Sequence, residues 1–230
     1  LWAVVATDVF QGFLQTIGLF VLMYLSIAAN GGIENIVRFY AEAGKEIQIA
    51  LIGGEGWFAN FVLCFITFGL FFFMGDQSDW ERVWASKNDK TAFWGYLIPL
   101  TVTLLLLLIP TYIGVFQKPV AAPGTEEEYL IYGFVFERLS PILALFITVT
   151  IISAIMSSAD SFMIGSGQIF SNDIIKRFVN REASDKELIF WTRMGVVVSG
   201  TVGFAFAINI SDMIYLWISG IAIATVTIIP

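Results

Sequence analysis

Residues 139–168 read LSPILALFITVTIISAIMSSADSFMIGSGQ, a stretch whose only charged residue is Asp160. Crossing a hydrocarbon core takes roughly 20 apolar residues, so this run is long enough to span one. Its polar residues gather at one place, AIMSSADS at 154–161. A carboxylate at mid-bilayer costs roughly 2.5 to 3.5 kcal/mol on insertion scales, so Asp160 there needs a partner or a wet path. A bound cation is the first candidate for that partner.

The rest of the chain has the same character. Of its 230 residues 57% are hydrophobic and only 13% charged, against about 25% charged in a soluble domain, and its mean hydropathy is +0.81. The expected class is therefore all-α, a polytopic membrane protein in contact with the lipid bilayer. Six apolar runs are expected to cross it, at about 2–28, 56–75, 93–116, 139–168, 193–209 and 213–230. The last two are separated by NISD at 209–212 and fit a tight helical hairpin. Residues 30–55 mix charged and apolar positions as a short interfacial helix would, and 117–137, with Pro119, Pro123, Gly124 and Glu126 to Glu128, reads as a solvated loop. No soluble domain is expected, and 1–230 reads as a single transmembrane fragment, already in a helix at Leu1 and still in one at Pro230.

Most charges fall in short loops, so the net charge of -7 indicates no basic partner, and nothing points to nucleic acid. With no histidine and the one cysteine, Cys64, inside an apolar run, the chain has no disulfide of its own, and zinc or haem ligation is disfavoured. Lysine and arginine set the orientation. Eight of the 12 lie in 76–92 and 170–193 and four in the alternate loops, which puts 76–92 and 170–193 in the cytoplasm.

On a helix, Ala154, Ser157, Ser158 and Ser161 share one face, with Asp160 at its edge. Ser153 and Ser157 lie one and two turns from Asp160 on its own side, so hydroxyls and a carboxylate can converge, the oxygen donors that hard cations select. In the first run Asp8, Gln11 and Gln15 form a second polar stripe. The competing structural reading is that serines pack helices closely and bond to the preceding turn, and that Asp8 reaches the membrane interface. Asp212, at the mouth of the last run, reads as an interfacial or helix N-terminal residue. A membrane enzyme would need convergent catalytic groups, and no catalytic motif is present; a sensor or structural membrane module is the remaining class.

Three segments resemble a known family. AVVATDVFQ at 3–11, DQSDWERVWASKN at 76–88, and AIMSSADS followed by SNDIIK at 171–176 are similar, in order and spacing, to motifs of the sodium:solute symporters. The resemblance implies a partial five-plus-five inverted-repeat transporter core, of which this chain holds the fifth core helix and most of the second repeat. It implies sodium-coupled symport of a small solute across the plasma membrane, with Na+ as coupling ion and no enzymatic activity. Oligomeric state is not implied.

Carried over residue by residue, the resemblance assigns the principal sodium site to the carbonyl of Ala154 and the hydroxyls of Ser157 and Ser158, completed by a first core helix outside this sequence. A second sodium site matches Asp8, Ser157, Asp160 and Ser161. Two carboxylates on facing helices repel unless a cation or a proton lies between them, so proton coupling through Asp8 and Asp160 stays open. Phe72, in GLFFFMGDQ at 69–77, stands where sugar-transporting members place a gate tyrosine. A phenylalanine there donates no hydrogen bond, which favours a small organic solute over a hexose. Glu81 and Arg82 are read as a solvated pair without a transport role.

Overall fold

The computed structural model of the chain describes residues 2–50, 56–64, 77–126, 129–210, 212, 215–216 and 218–220. Every regular element among them is helical. In order these are α1 (Trp2–Ala29), α2 (Ile33–Glu42), α3 (Trp57–Cys64), α4 (Gln77–Trp84), α5 (Asp89–Leu106), α6 (Leu108–Gln117), the single turn α7 (Leu130–Gly133), α8 (Pro141–Ile169) and α9 (Asp185–Asn209), with short 3-10 turns at Glu46–Gln48 and Lys118–Val120. Both α7 and α8 continue into wider π-type turns, over Phe134–Arg138 and Phe170–Val179.

Four stretches are long and apolar enough to cross a membrane, Ala6–Ala29, Asp89–Val120, Pro141–Val179 and Asp185–Asn209. They correspond to the first, third, fourth and fifth apolar runs, while most of the second and sixth runs lies outside the described residues. Large apolar side chains stay exposed along them, such as Phe10 and Phe13 on α1, Ile142 on α8 and Phe204 on α9. That is the surface a lipid-embedded helix presents, its backbone groups being paired internally. The chain is a polytopic all-α membrane protein.

Two of the expected runs differ in detail. The third breaks at Leu107 between α5 and α6, because Pro110 has no N–H for the Leu106 carbonyl one turn back and its ring crowds that carbonyl. The fifth helix begins at Asp185, well before residue 193, where Ser184 Oγ accepts from the Glu187 N–H and Glu187 Oε2 accepts from the Ser184 N–H at 2.8 Å. This reciprocal cap satisfies two otherwise orphaned donors in a polar segment that hydropathy alone passes over.

The described helices divide into two compact units. One comprises 1–57 and 89–157. Its core joins Leu22 of α1, Ile109 and Ile113 of α6, Phe134 and Val135, and Ala144 and Ile147 of α8. A second cluster seats Ile36 and Tyr40 of α2 against Phe116, so a short helix does lie within 30–55, one face of it packed on α6. The C-terminal carbonyls of α6 are claimed there: Tyr40 Oη donates to Val115 O at 2.8 Å and Asn30 Nδ2 to Phe116 O at 2.7 Å. Helix ends leave such acceptors open, so these two bonds fix the corner between α1 and α2 on the end of α6.

The other unit comprises 58–88 and 158–230. Within it α8 and α9 pack through glycine. A Cβ on Gly195 would lie 2.8 Å from Gly167 Cα, and one on Gly167 would lie 2.5 Å from Thr192 O. Helices in lipid gain association energy from such close backbone approach. Ser171 Oγ adds a hydrogen bond to Leu188 O at 2.9 Å.

Candidate functional site

The polar residues singled out in the sequence fall on α1 and α8. Asp8 is half-buried on α1, and Ala154, Ser157, Asp160 and Ser161 are half-buried on α8, with Ser158 exposed. One pair is brought into direct contact: Ser157 Oγ donates to Asp8 Oδ1 at 2.8 Å. Two residues 149 positions apart thereby join the two polar stripes. A hydroxyl donating to a carboxylate is a charge-assisted bond, and it leaves the serine lone pairs as acceptors.

Serine and threonine hydroxyls on these helices otherwise follow the bland reading. Thr16 donates to Gly12 O, Ser26 to Leu22 O, Thr148 to Ala144 O, Thr150 to Phe146 O and Ser166 to Phe162 O, each to the carbonyl one turn back. Ser157 departs from that pattern by reaching across to Asp8.

Ser153 departs as well. It is 6% exposed, and its hydroxyl has no hydrogen-bond partner among the described residues. Gln11, 9% exposed on the Asp8 face of α1, likewise has an unpaired Oε1. A buried polar group left unpaired costs about 1 to 3 kcal/mol, so each of these oxygens would be stabilised by a donor or a cation.

Ser161 carries a contact that the sequence did not reveal. Arg82 of α4 donates to Ser161 Oγ at 3.2 Å, which replaces the reading of Arg82 as a merely solvated side chain. Nothing in the local pattern of 76–88 announces it, because the two residues are 79 positions apart. Asp212 Oδ1 accepts from the Tyr215 N–H at 2.8 Å, in keeping with its reading as a helix N-terminal residue. Phe72 lies outside the described residues.

No group of three or more His, Cys, Asp or Glu side chains capable of holding a metal occurs among the described residues. The donors gathered at α1 and α8 are one carboxylate with neutral hydroxyl, amide and carbonyl oxygens. A set of low total charge built from hard oxygens suits a monovalent cation better than a divalent one that needs several carboxylates.

Comparison with known proteins bears on this geometry. The model of the sodium:solute symporter family matches residues 1–229. The sodium/pantothenate symporter of Haemophilus influenzae is 27% identical over 220 residues, covering 94% of this chain and 45% of that protein. The human high affinity choline transporter 1 is 26% identical over 244 residues, covering 100% of this chain and 41% of the relative. The human sodium/myo-inositol cotransporter is 24% identical over 267 residues, covering 96% and 37%. The chain thus spans less than half the length of these relatives. No solved structure matches it.

Proposed function

The chain belongs to the sodium:solute symporter family, and from that premise we propose that it supplies one side of the ion site of a sodium-coupled symporter for a small organic solute. The observation that carries the reading is the Ser157 to Asp8 hydrogen bond. It brings hydroxyl and carboxylate oxygens of two helices to one point, beside the Ala154 and Ser158 positions of α8.

In this reading the Ala154 carbonyl and the Ser157 and Ser158 hydroxyls hold the principal sodium, and the exposure of Ser158 leaves its oxygen for a helix outside this chain. Asp8, Ser157, Asp160 and Ser161 form the second site. Sodium favours one conformation because it binds that conformation better, which is the only way a ligand shifts such an equilibrium. Solute then moves inward with the ion by alternating access in the plasma membrane, with 76–92 and 170–193 on the cytoplasmic side and 1–230 forming one transmembrane module.

Relatives named for pantothenate, choline and myo-inositol support a small organic solute, and Phe72 argues against a hexose. The test is solute uptake by proteoliposomes holding the intact transporter, with and without an inward sodium gradient. Ser158→Ala is expected to raise the sodium concentration for half-maximal uptake about tenfold, equivalent to ~1.4 kcal/mol. Uptake driven equally well by a proton gradient without sodium would instead assign Asp8 and Asp160 to proton transfer. Unchanged sodium activation in Ser158→Ala would remove Ser158 from the site.

A further inference from the structure

Two contacts set the register of α1 against α8. Asp8 meets Ser157, and Gly18 meets Thr150, whose side chain fills the space a Cβ on Gly18 would take. Sequence number rises along α1 as it falls along α8, so the helices run antiparallel. Gln11 lies about 4.5 Å along α1 from Asp8, and Ser153 about 6 Å along α8 from Ser157, both toward the Gly18 to Thr150 contact. The two buried oxygens, without a hydrogen-bond partner among the described residues, therefore both lie on the helix segments between these two contacts, each about one turn from the Asp8 to Ser157 pair.

Neither oxygen is explained by packing alone. The carbonyl of Val149, one turn back from Ser153, is the acceptor that neighbouring hydroxyls on α8 use at their own positions, yet Ser153 makes no such bond. Gln11 Oε1 can only accept, and Ser153 Oγ offers lone pairs, so a donor or a cation placed between them satisfies both. The Asp8 carboxylate one turn away favours the cation.

We propose that Gln11 Oε1 and Ser153 Oγ are sodium ligands, which extend the Asp8 and Ser157 pair into a four-oxygen cation site between α1 and α8. The inference rests on the sodium-coupled reading above but adds residues that reading does not use. Asp8 supplies the charge and fixes Ser157, while Gln11 and Ser153 supply neutral oxygens.

The experiment uses the intact purified transporter in detergent, with radioactive sodium binding and thermal midpoint measured in sodium chloride and in N-methyl-D-glucamine chloride of equal strength. Wild type is expected to gain thermal stability in sodium. Ser153→Ala and Gln11→Leu are expected to bind sodium about tenfold more weakly and to lose at least half of that gain, whereas Gln11→Glu keeps an oxygen ligand and retains it. Ser153→Ala should leave the midpoint in N-methyl-D-glucamine unchanged or higher, because it removes a hydroxyl without a partner among the described residues. Wild-type sodium affinity in both Ser153→Ala and Gln11→Leu would overturn the proposal while leaving sodium coupling intact. An equal fall in midpoint in both salts would also overturn it, by assigning the oxygens to a structural water. Absence of any sodium effect in the wild type would overturn the premise itself.

Discussion

Ser157 and Ser161 are one turn apart on α8 and have partners of opposite charge. Ser157 donates to the Asp8 carboxylate, and Ser161 accepts from the Arg82 guanidinium. A serine that donates to a carboxylate still offers lone pairs to a cation, whereas one already facing a guanidinium has a positive charge where the ion would sit. If Ser161 is a ligand of the second site, sodium and Arg82 compete for it. Arg82 is exposed, so the contact is worth well under 1 kcal/mol after solvent screening. Replacing it should lower the sodium concentration for half-maximal uptake only about threefold. Sodium titration of uptake in Arg82→Ala checks this, and a weakened sodium response would mean that Arg82 supports the site. The AIMSSADS cluster was legible in sequence because acids and hydroxyls stand out in an apolar run. Arg82 was not, since an arginine in a polar loop segment resembles any other solvated charge.

At the scale of elements, helix ends were read least well. The fifth run is expected from residue 193 because hydropathy places a helix where the apolar residues begin, whereas the cap at Ser184 and Glu187 starts it at Asp185. Only the structure shows that the third run separates at Leu107, ahead of Pro110. The pairing of α8 with α9 turns on Gly167 and Gly195, glycines that sequence treats as interchangeable with Gly203. They are not: a Cβ on Gly195 meets the α8 backbone at 2.8 Å, while one on Gly203 meets nothing within 4 Å. Gly195→Leu should therefore destabilise the protein by about 1 to 3 kcal/mol through overpacking. Gly203→Ala should be neutral or stabilising by up to about 1 kcal/mol, since alanine is the better helix former. Thermal unfolding of the two variants in detergent separates these outcomes, and equal behaviour would remove the close crossing as a source of stability.

For the whole molecule, the lysine and arginine distribution makes a topological prediction. After Cys64→Ala, cysteines introduced at Lys87 and Lys186 should react with a membrane-impermeant maleimide only from the cytoplasmic side, and one at Glu126 only from the opposite side. The reverse pattern would invert the proposed orientation. By itself the sequence determined the class of solvent, the apolar runs, the polar stripes on α1 and α8, and the family resemblance. All of these depend on residue type and on spacing within one segment. Tertiary structure alone decided that Ser157 reaches Asp8 across 149 positions, that Gln11 and Ser153 are buried with oxygens unpaired among the described residues, and that Arg82 sits on Ser161. Such pairings depend on how separate helices are registered against each other, and that register is set by small packing features such as Gly18 against Thr150, which local sequence patterns do not encode.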